Sequence, residues 1–103
     1  MTRANFSLKL SDEAQETIDE LDKNPSKKGL SKQVKKSLGY LQRNPKHPSL
    51  NTHPYDTIPN PLNPKEKVFG AYAQNNTPNA HRILFCYGPD RRTIFVIAII
   101  PHL

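Results

Sequence analysis

Residues 82–100, RILFCYGPDRRTIFVIAII, decide the fold. Arg82 to Tyr87 reads as a strand, Gly88-Pro89-Asp90 as a turn, and Thr93 to Ile100 as a second strand apolar on both faces. A strand with apolar side chains at consecutive positions belongs inside a sheet that helices cover on at least one side. The N-terminal part supplies those helices. Phe6, Leu8 and Leu10 alternate with Ser7 and Lys9, the pattern of a short half-buried strand. Ser11 then reads as an N-cap, with Asp12 and Glu13 in a first helical turn whose dipole favours acids. Ala14, Ile18 and Leu21 continue at helical spacing, so a helix is expected from Asp12 to Leu21 or Asp22, stopped by Asn24-Pro25.

A second helix is expected to start near Leu30 or Ser31. Leu30, Val34, Leu38 and Leu41 form its apolar stripe, while Lys32, Lys35, Lys36 and Arg43 lie mainly off it, and Asn44-Pro45 ends it. Gly39 inside this helix costs about 1 kcal/mol relative to Ala, which is understandable if the helix approaches the sheet closely there. Between Pro45 and Pro64 stand six prolines, which exclude a helix and argue against a central strand. This stretch reads as an extended loop anchored by Leu50, Tyr55, Ile58 and Leu62. Lys67 to Gln74 alternates weakly, and Asn75 to Asn79 is a turn. The expected architecture is α+β: an N-terminal strand and a two-helix hairpin packed on a small, mainly antiparallel sheet.

At 103 residues the chain suits a single domain, here spanning 1–103, with a core large enough to need no disulfide. Cys86 is the sole cysteine, so no internal disulfide is possible; it reads as an inert buried thiol. The longest apolar run, Ile94 to Ile100, is too short to span a bilayer, and no signal-peptide core precedes the first acids. A soluble, cytoplasmic protein is expected, with no membrane partner. Charge is distributed unevenly. Residues 1–22 carry two basic and six acidic side chains, and residues 23–103 carry thirteen basic and three acidic. Lys23 to Lys46 contains eight Lys or Arg and no acid. Such a run fits a polyanionic partner, with nucleic acid ahead of a membrane surface because no hydrophobic anchor accompanies it; a solvated helix face is the plainer alternative. Lys32, Lys35, Lys36 and Lys46 are therefore candidate RNA contacts. Lys65 and Lys67, expected on the strand beside Arg82, are further candidates, or else ordinary edge-strand charges.

Cleaving RNA through its 2′-hydroxyl requires a base for that hydroxyl, a cation for the phosphate and an acid for the leaving 5′-oxygen. Histidine serves either proton-transfer role near neutral pH, and the arginine fork bonds two phosphate oxygens while staying charged. Arg82 begins one strand and His102 follows the next, so an antiparallel hairpin brings the two together. His47 and His53 have no Cys near them and only Asp56 as a neighbouring carboxylate, a weak basis for a metal site, and no metal or other cofactor is expected. The plainer reading of His53 is a hydrogen-bonded loop residue. Tyr72 and Tyr87 offer rings for base stacking, although strand tyrosines more often sit in a core.

The element order, Asn44-Pro45-Lys46-His47-Pro48-Ser49-Leu50 after the second helix, Ala80-His81-Arg82-Ile83-Leu84-Phe85, and Thr93 to His102 together resemble the RelE/ParE toxin superfamily of bacterial toxin–antitoxin systems. The resemblance covers nearly the whole chain. It implies a RelE-like fold and an endoribonuclease that cleaves messenger RNA in the ribosome, with a cognate antitoxin protein and ribosomal RNA as further partners. It also implies Arg82 as the active-site arginine and His102 as a catalytic acid or base. Some members place a carboxylate base after the second helix; Lys46 to His53 contains no acid, and His47 and His53 are the candidates to replace it. The catalytic set so implied is Arg82, His102 and His53. A gyrase-inhibiting ParE-type toxin and a non-catalytic member that binds nucleic acid or a partner are the alternatives.

If the basic second helix contacts RNA, affinity falls steeply with salt through counterion release. Replacing Lys32 and Lys36 together by Glu weakens binding without unfolding the domain. A filter-binding titration across salt concentrations checks this; binding indifferent to both salt and charge reversal excludes an electrostatic footprint here.

Overall fold

The computed structural model describes residues 5–73 and 81–101. It is an α+β domain with strands β1 (Ser7–Leu10), β2 (His53–Pro54), β3 (Phe69–Tyr72), β4 (His81–Tyr87) and β5 (Thr93–Pro101), and helices α1 (Asp12–Lys23) and α2 (Lys28–Arg43). The sheet order is β1-β5-β4-β3-β2, with β1 parallel to β5 and all other neighbours antiparallel. The parallel pair follows from the helical hairpin between β1 and the later strands, because a parallel neighbour needs a long crossover.

Ser11 is the N-cap of α1, its hydroxyl accepting the Ala14 N–H at 3.0 Å. The same hydroxyl donates to the Ile97 carbonyl at 2.6 Å, and the Ser11 N–H reaches the Val96 carbonyl at 3.0 Å. Ile97 lies at a break in the β4–β5 register, where Leu84 pairs with Ala98 but Phe85 pairs with Val96. This β-bulge shifts the alternation, so that Ile94, Val96 and Ile99 all join the core beneath the helices. Ala14, Ile18 and Leu21 of α1 and Val34, Leu38 and Leu41 of α2 meet them there, with Ile83 and Phe85 of β4.

Helix α1 runs one residue past the expected end and α2 starts two residues early. The reason is local. The Asn24 side chain accepts the Ser26 N–H, Pro25 opens a single 3-10 turn over Pro25–Lys27, and that turn leads straight into α2. Two serines join the buried face of α2, each with a partner. Ser31 donates to Asp22 at 2.5 Å, and Ser37 donates to the Ala73 carbonyl at 3.0 Å. Asp22 also pairs with Lys35 at 2.9 Å, and these bonds hold its carboxyl below the usual range. Gly39 differs from expectation: a Cβ there meets open space, so the helix does not approach the sheet closely at that point.

The proline-rich stretch contains one short strand. His53 and Pro54 pair with Gly70 and Phe69 at the sheet edge, where a proline's missing N–H interrupts no ladder. Leu50 is fully buried in the core. The rest is tied down by polar contacts more than by its apolar anchors. Buried Asn60 donates to the Lys67 carbonyl and accepts from the N–H groups of Leu62 and Asn63. Leu62 lies against Gly88, whose φ of 140° favours glycine; any Cβ there would stand 2.9 Å from the Leu62 side chain. Cys86 is inaccessible, and burial pushes its thiol up, away from reactivity. No helix among the described residues is long and apolar enough to cross a membrane.

Because Gly39 has room for a side chain, Gly39→Ala raises stability by about 0.5–1 kcal/mol through helix propensity. Urea unfolding checks this; a destabilised variant means the methyl group is not accommodated.

Candidate functional site

Alternation along β4 decides what faces away from the helices. Ile83 and Phe85 enter the core, so Arg82 and Leu84 point to the opposite face. There Arg82 pairs across the sheet with Tyr72 of β3, and β2 places His53 opposite Gly70, the second residue of β3. The Arg82 guanidinium carbon lies 5.7 Å from the ring centroids of both Tyr55 and Tyr72. The His53 ring lies 5.6 Å from that of Tyr72. Gly70 is the floor between them: a Cβ there would stand 3.8 Å from both the Tyr55 ring and His53 Nε2.

Arg82 is half-buried, and its Nε is buried without a hydrogen-bond partner among the described residues. Among the described residues, the ion pair is Lys35–Asp22, and Arg82 is not engaged by a carboxylate. The guanidinium is thus framed by two aromatic rings and, among the described residues, meets no carboxylate, which leaves its charge to an anion that reaches it; the unpaired Nε is itself enclosed. His53 Nδ1 lies 3.0 Å from the Asn51 carbonyl. A carbonyl only accepts, so Nδ1 carries the proton and the lone pair of neutral His53 is on Nε2, the atom beside Gly70. Asn51 adopts a left-handed conformation with φ 49° and ψ 48°, which asparagine tolerates better than most residues.

The structure brings together Arg82 and His53 and adds Tyr55 and Tyr72, which frame the cation. Tyr55 was legible only as a loop anchor; nothing in its spacing announces that it returns to the Arg82 side of the sheet. β5 ends at Pro101 opposite His81, which brings its end beside Arg82, but His102 lies outside the described residues. The other candidates are dispersed. Lys32 and Lys36 are exposed on α2, and Lys35 is committed to Asp22. Lys46 follows α2 on the opposite side of the sheet from Arg82's face, lining a groove with His47, Phe69 and Tyr87. Lys65 and Lys67 precede β3 instead of lying on it, and they fall at its Phe69 end, whereas Arg82 pairs with its Tyr72 end. The strand is shorter than its weak alternation suggested because the residues before it are bonded to the proline-rich loop: the Lys67 carbonyl accepts from the Asn60 side chain and the Val68 carbonyl from the Tyr55 N–H. The described residues contain no group of three or more His, Cys, Asp or Glu placed to hold a metal ion.

No family model, curated protein or solved structure matches this chain.

Proposed function

We propose that this protein is an endoribonuclease of the RelE/ParE toxin kind, acting in the cytoplasm on messenger RNA in the ribosome and silenced by a cognate antitoxin. The observation that supports this most is the pairing, on one sheet face, of Arg82 held over two tyrosine rings with a histidine whose Nδ1 is tied to a carbonyl, so that the neutral ring has its lone pair on Nε2. In this reading His53 Nε2 takes the proton of a ribose 2′-hydroxyl. The oxygen attacks the adjacent phosphorus while Arg82 bonds the non-bridging oxygens and offsets the charge that builds there. The 5′-oxygen leaves with a proton from an acid, the role expected of His102. The products are a 2′,3′-cyclic phosphate and a 5′-hydroxyl end. Tyr55 and Tyr72 hold the guanidinium in place and offer ring faces to the flanking bases.

The test is cleavage of messenger RNA on programmed ribosomes with mapping of the ends. Arg82→Ala lowers the rate by roughly 100-fold or more with an unchanged circular dichroism spectrum, and Arg82→Lys recovers part of it because a point charge replaces the fork. His53→Gln, which preserves bulk and removes the base, also lowers the rate by roughly 100-fold or more. Absence of cleavage by the parent protein, or ends other than cyclic phosphate and 5′-hydroxyl, rejects the reading.

A further inference from the structure

The far end of the sheet carries a second constellation, which borders the Arg82 site at His53 and is otherwise built from residues that site does not use. Tyr87 ends β4, five residues from Arg82, or roughly 17 Å along the strand. Its ring is on the helix-covered side, against Phe6, Phe69 and Phe85 at centroid distances of 6.0, 5.8 and 5.9 Å. Tyr87 nevertheless remains 38% exposed and is one of the two most exposed large apolar side chains described, with Leu62. Phe69 and Tyr87 form the common wall of two depressions. One, about 780 Å³, is lined by Lys46, His47, Pro48 and His53 among others and has no carboxylate in its described lining. The other, about 300 Å³, is lined by Lys65 and Lys67 with Glu66 and Asn60.

The first depression continues onto α2. The His47 ring stacks on Tyr40 at 4.2 Å and 14°, and Lys36 Nζ and the Arg43 guanidinium carbon lie 5.9 and 5.7 Å from the Tyr40 ring centroid. His47 Nδ1 accepts the Ser49 N–H, which leaves Nε2 as the protonated, donating nitrogen of the neutral ring. Aromatic faces interleaved with cations, along a groove free of acids on its larger side, match the needs of a single nucleic-acid strand: ring faces for unpaired bases and cations for the backbone between them. An acidic peptide would use the cations but has no need of the ring faces.

We propose that this groove is a second contact for single-stranded RNA, with Tyr87 and Phe69 as the stacking platform for an unpaired base and Lys46 on one side and Lys65 and Lys67 on the other holding its flanking phosphates. The assignment takes its ligand class from the proposed ribonuclease reading, and it extends the track of the strand to the other face and end of the sheet. It also accounts for the placement of Lys65 and Lys67 away from Arg82.

The probe is a fluorescent 2′-O-methyl RNA hexamer, which lacks the attacking hydroxyl, followed by anisotropy with the full chain. Tyr87→Leu weakens binding roughly tenfold or more, while Tyr87→Phe retains it. Lys46→Glu and Lys67→Glu each weaken it, and each lowers the salt dependence by about 0.7 or more in the log–log slope. Tyr87→Leu binding equal to the parent overturns the inference. So does competition by a polyglutamate peptide of equal charge as effective as unlabelled RNA. If Tyr87→Leu fails to fold, the two lysine variants decide, and unchanged affinity in both overturns it. Cleavage of ordinary messenger RNA by the parent is scored separately: ring-dependent binding without cleavage rejects the ribonuclease reading alone, and cleavage with ring-independent binding rejects this groove alone.

Discussion

One residue out of register in β5 sets the phase of the whole sheet. Were the β4–β5 ladder unbroken, Ile99 would face away from the helices and Ala98 would replace it in the core. With Ile97 bulged, Ile94, Val96 and Ile99 all pack under the helices, and Ala98 and Ile100 share the other face with Leu84 and Arg82. The bulge leaves a carbonyl turned out of the ladder, and Ser11 bonds to it with the hydroxyl that also caps α1. The start of the first helix and the phase of an interior strand therefore depend on one side chain. Replacing it by an apolar residue would leave both the carbonyl and a helix N–H without their partner.

Two further ties carry that order to the rest of the chain. Ser37 reaches from α2 to the carbonyl of Ala73, the residue after β3, and Phe6 donates its N–H to the Gln42 carbonyl near the end of α2. Helix α2 is thus fixed to both flanks of the sheet. The Asp22–Ser31 bond closes the hairpin from the buried face of α2, and the Asp22–Lys35 pair closes it on the exposed side, where ion pairs contribute little singly. The result is a sheet with two distinct faces, one packed by helices and one partly covered by the proline-rich loop, with Arg82 near that loop's return.

Most of the architecture could be read from residue order. Apolar spacing, the Ser11 cap and the two Asn-Pro stops placed the helices to within a few residues, and consecutive apolar positions marked β5 as interior. The bulge was not legible, because Ile97 among Val96, Ala98 and Ile99 is one apolar residue in a run of them. The edge pairing of His53 with Gly70 was hidden by prolines, whose meaning depends on whether the strand is central or marginal. The Arg82 site was half legible. A cation at a strand start and a histidine closing the acid-free stretch Lys46 to His53 can be noticed along the chain, but their meeting depends on a loop of some fifteen residues, from His53 to Lys67, folding back through Asn60. Gly39 misled for a related reason: a glycine in a helix announces a vacancy, not what lies opposite it.

The left-handed turn at Asn51 has a consequence for how this site can be lost. His53 keeps its proton on Nδ1 because the Asn51 carbonyl is aimed at it, and that carbonyl is aimed by the backbone at φ 49°. A β-branched residue at 51 resists that conformation. Such a change would leave Arg82, His53, Tyr55 and Tyr72 all present while turning away the carbonyl that holds the imidazole in one tautomer. The tautomer of the histidine is thus encoded two residues away, in the backbone conformation at Asn51, and a descendant could inherit all four side chains and still present the other ring nitrogen.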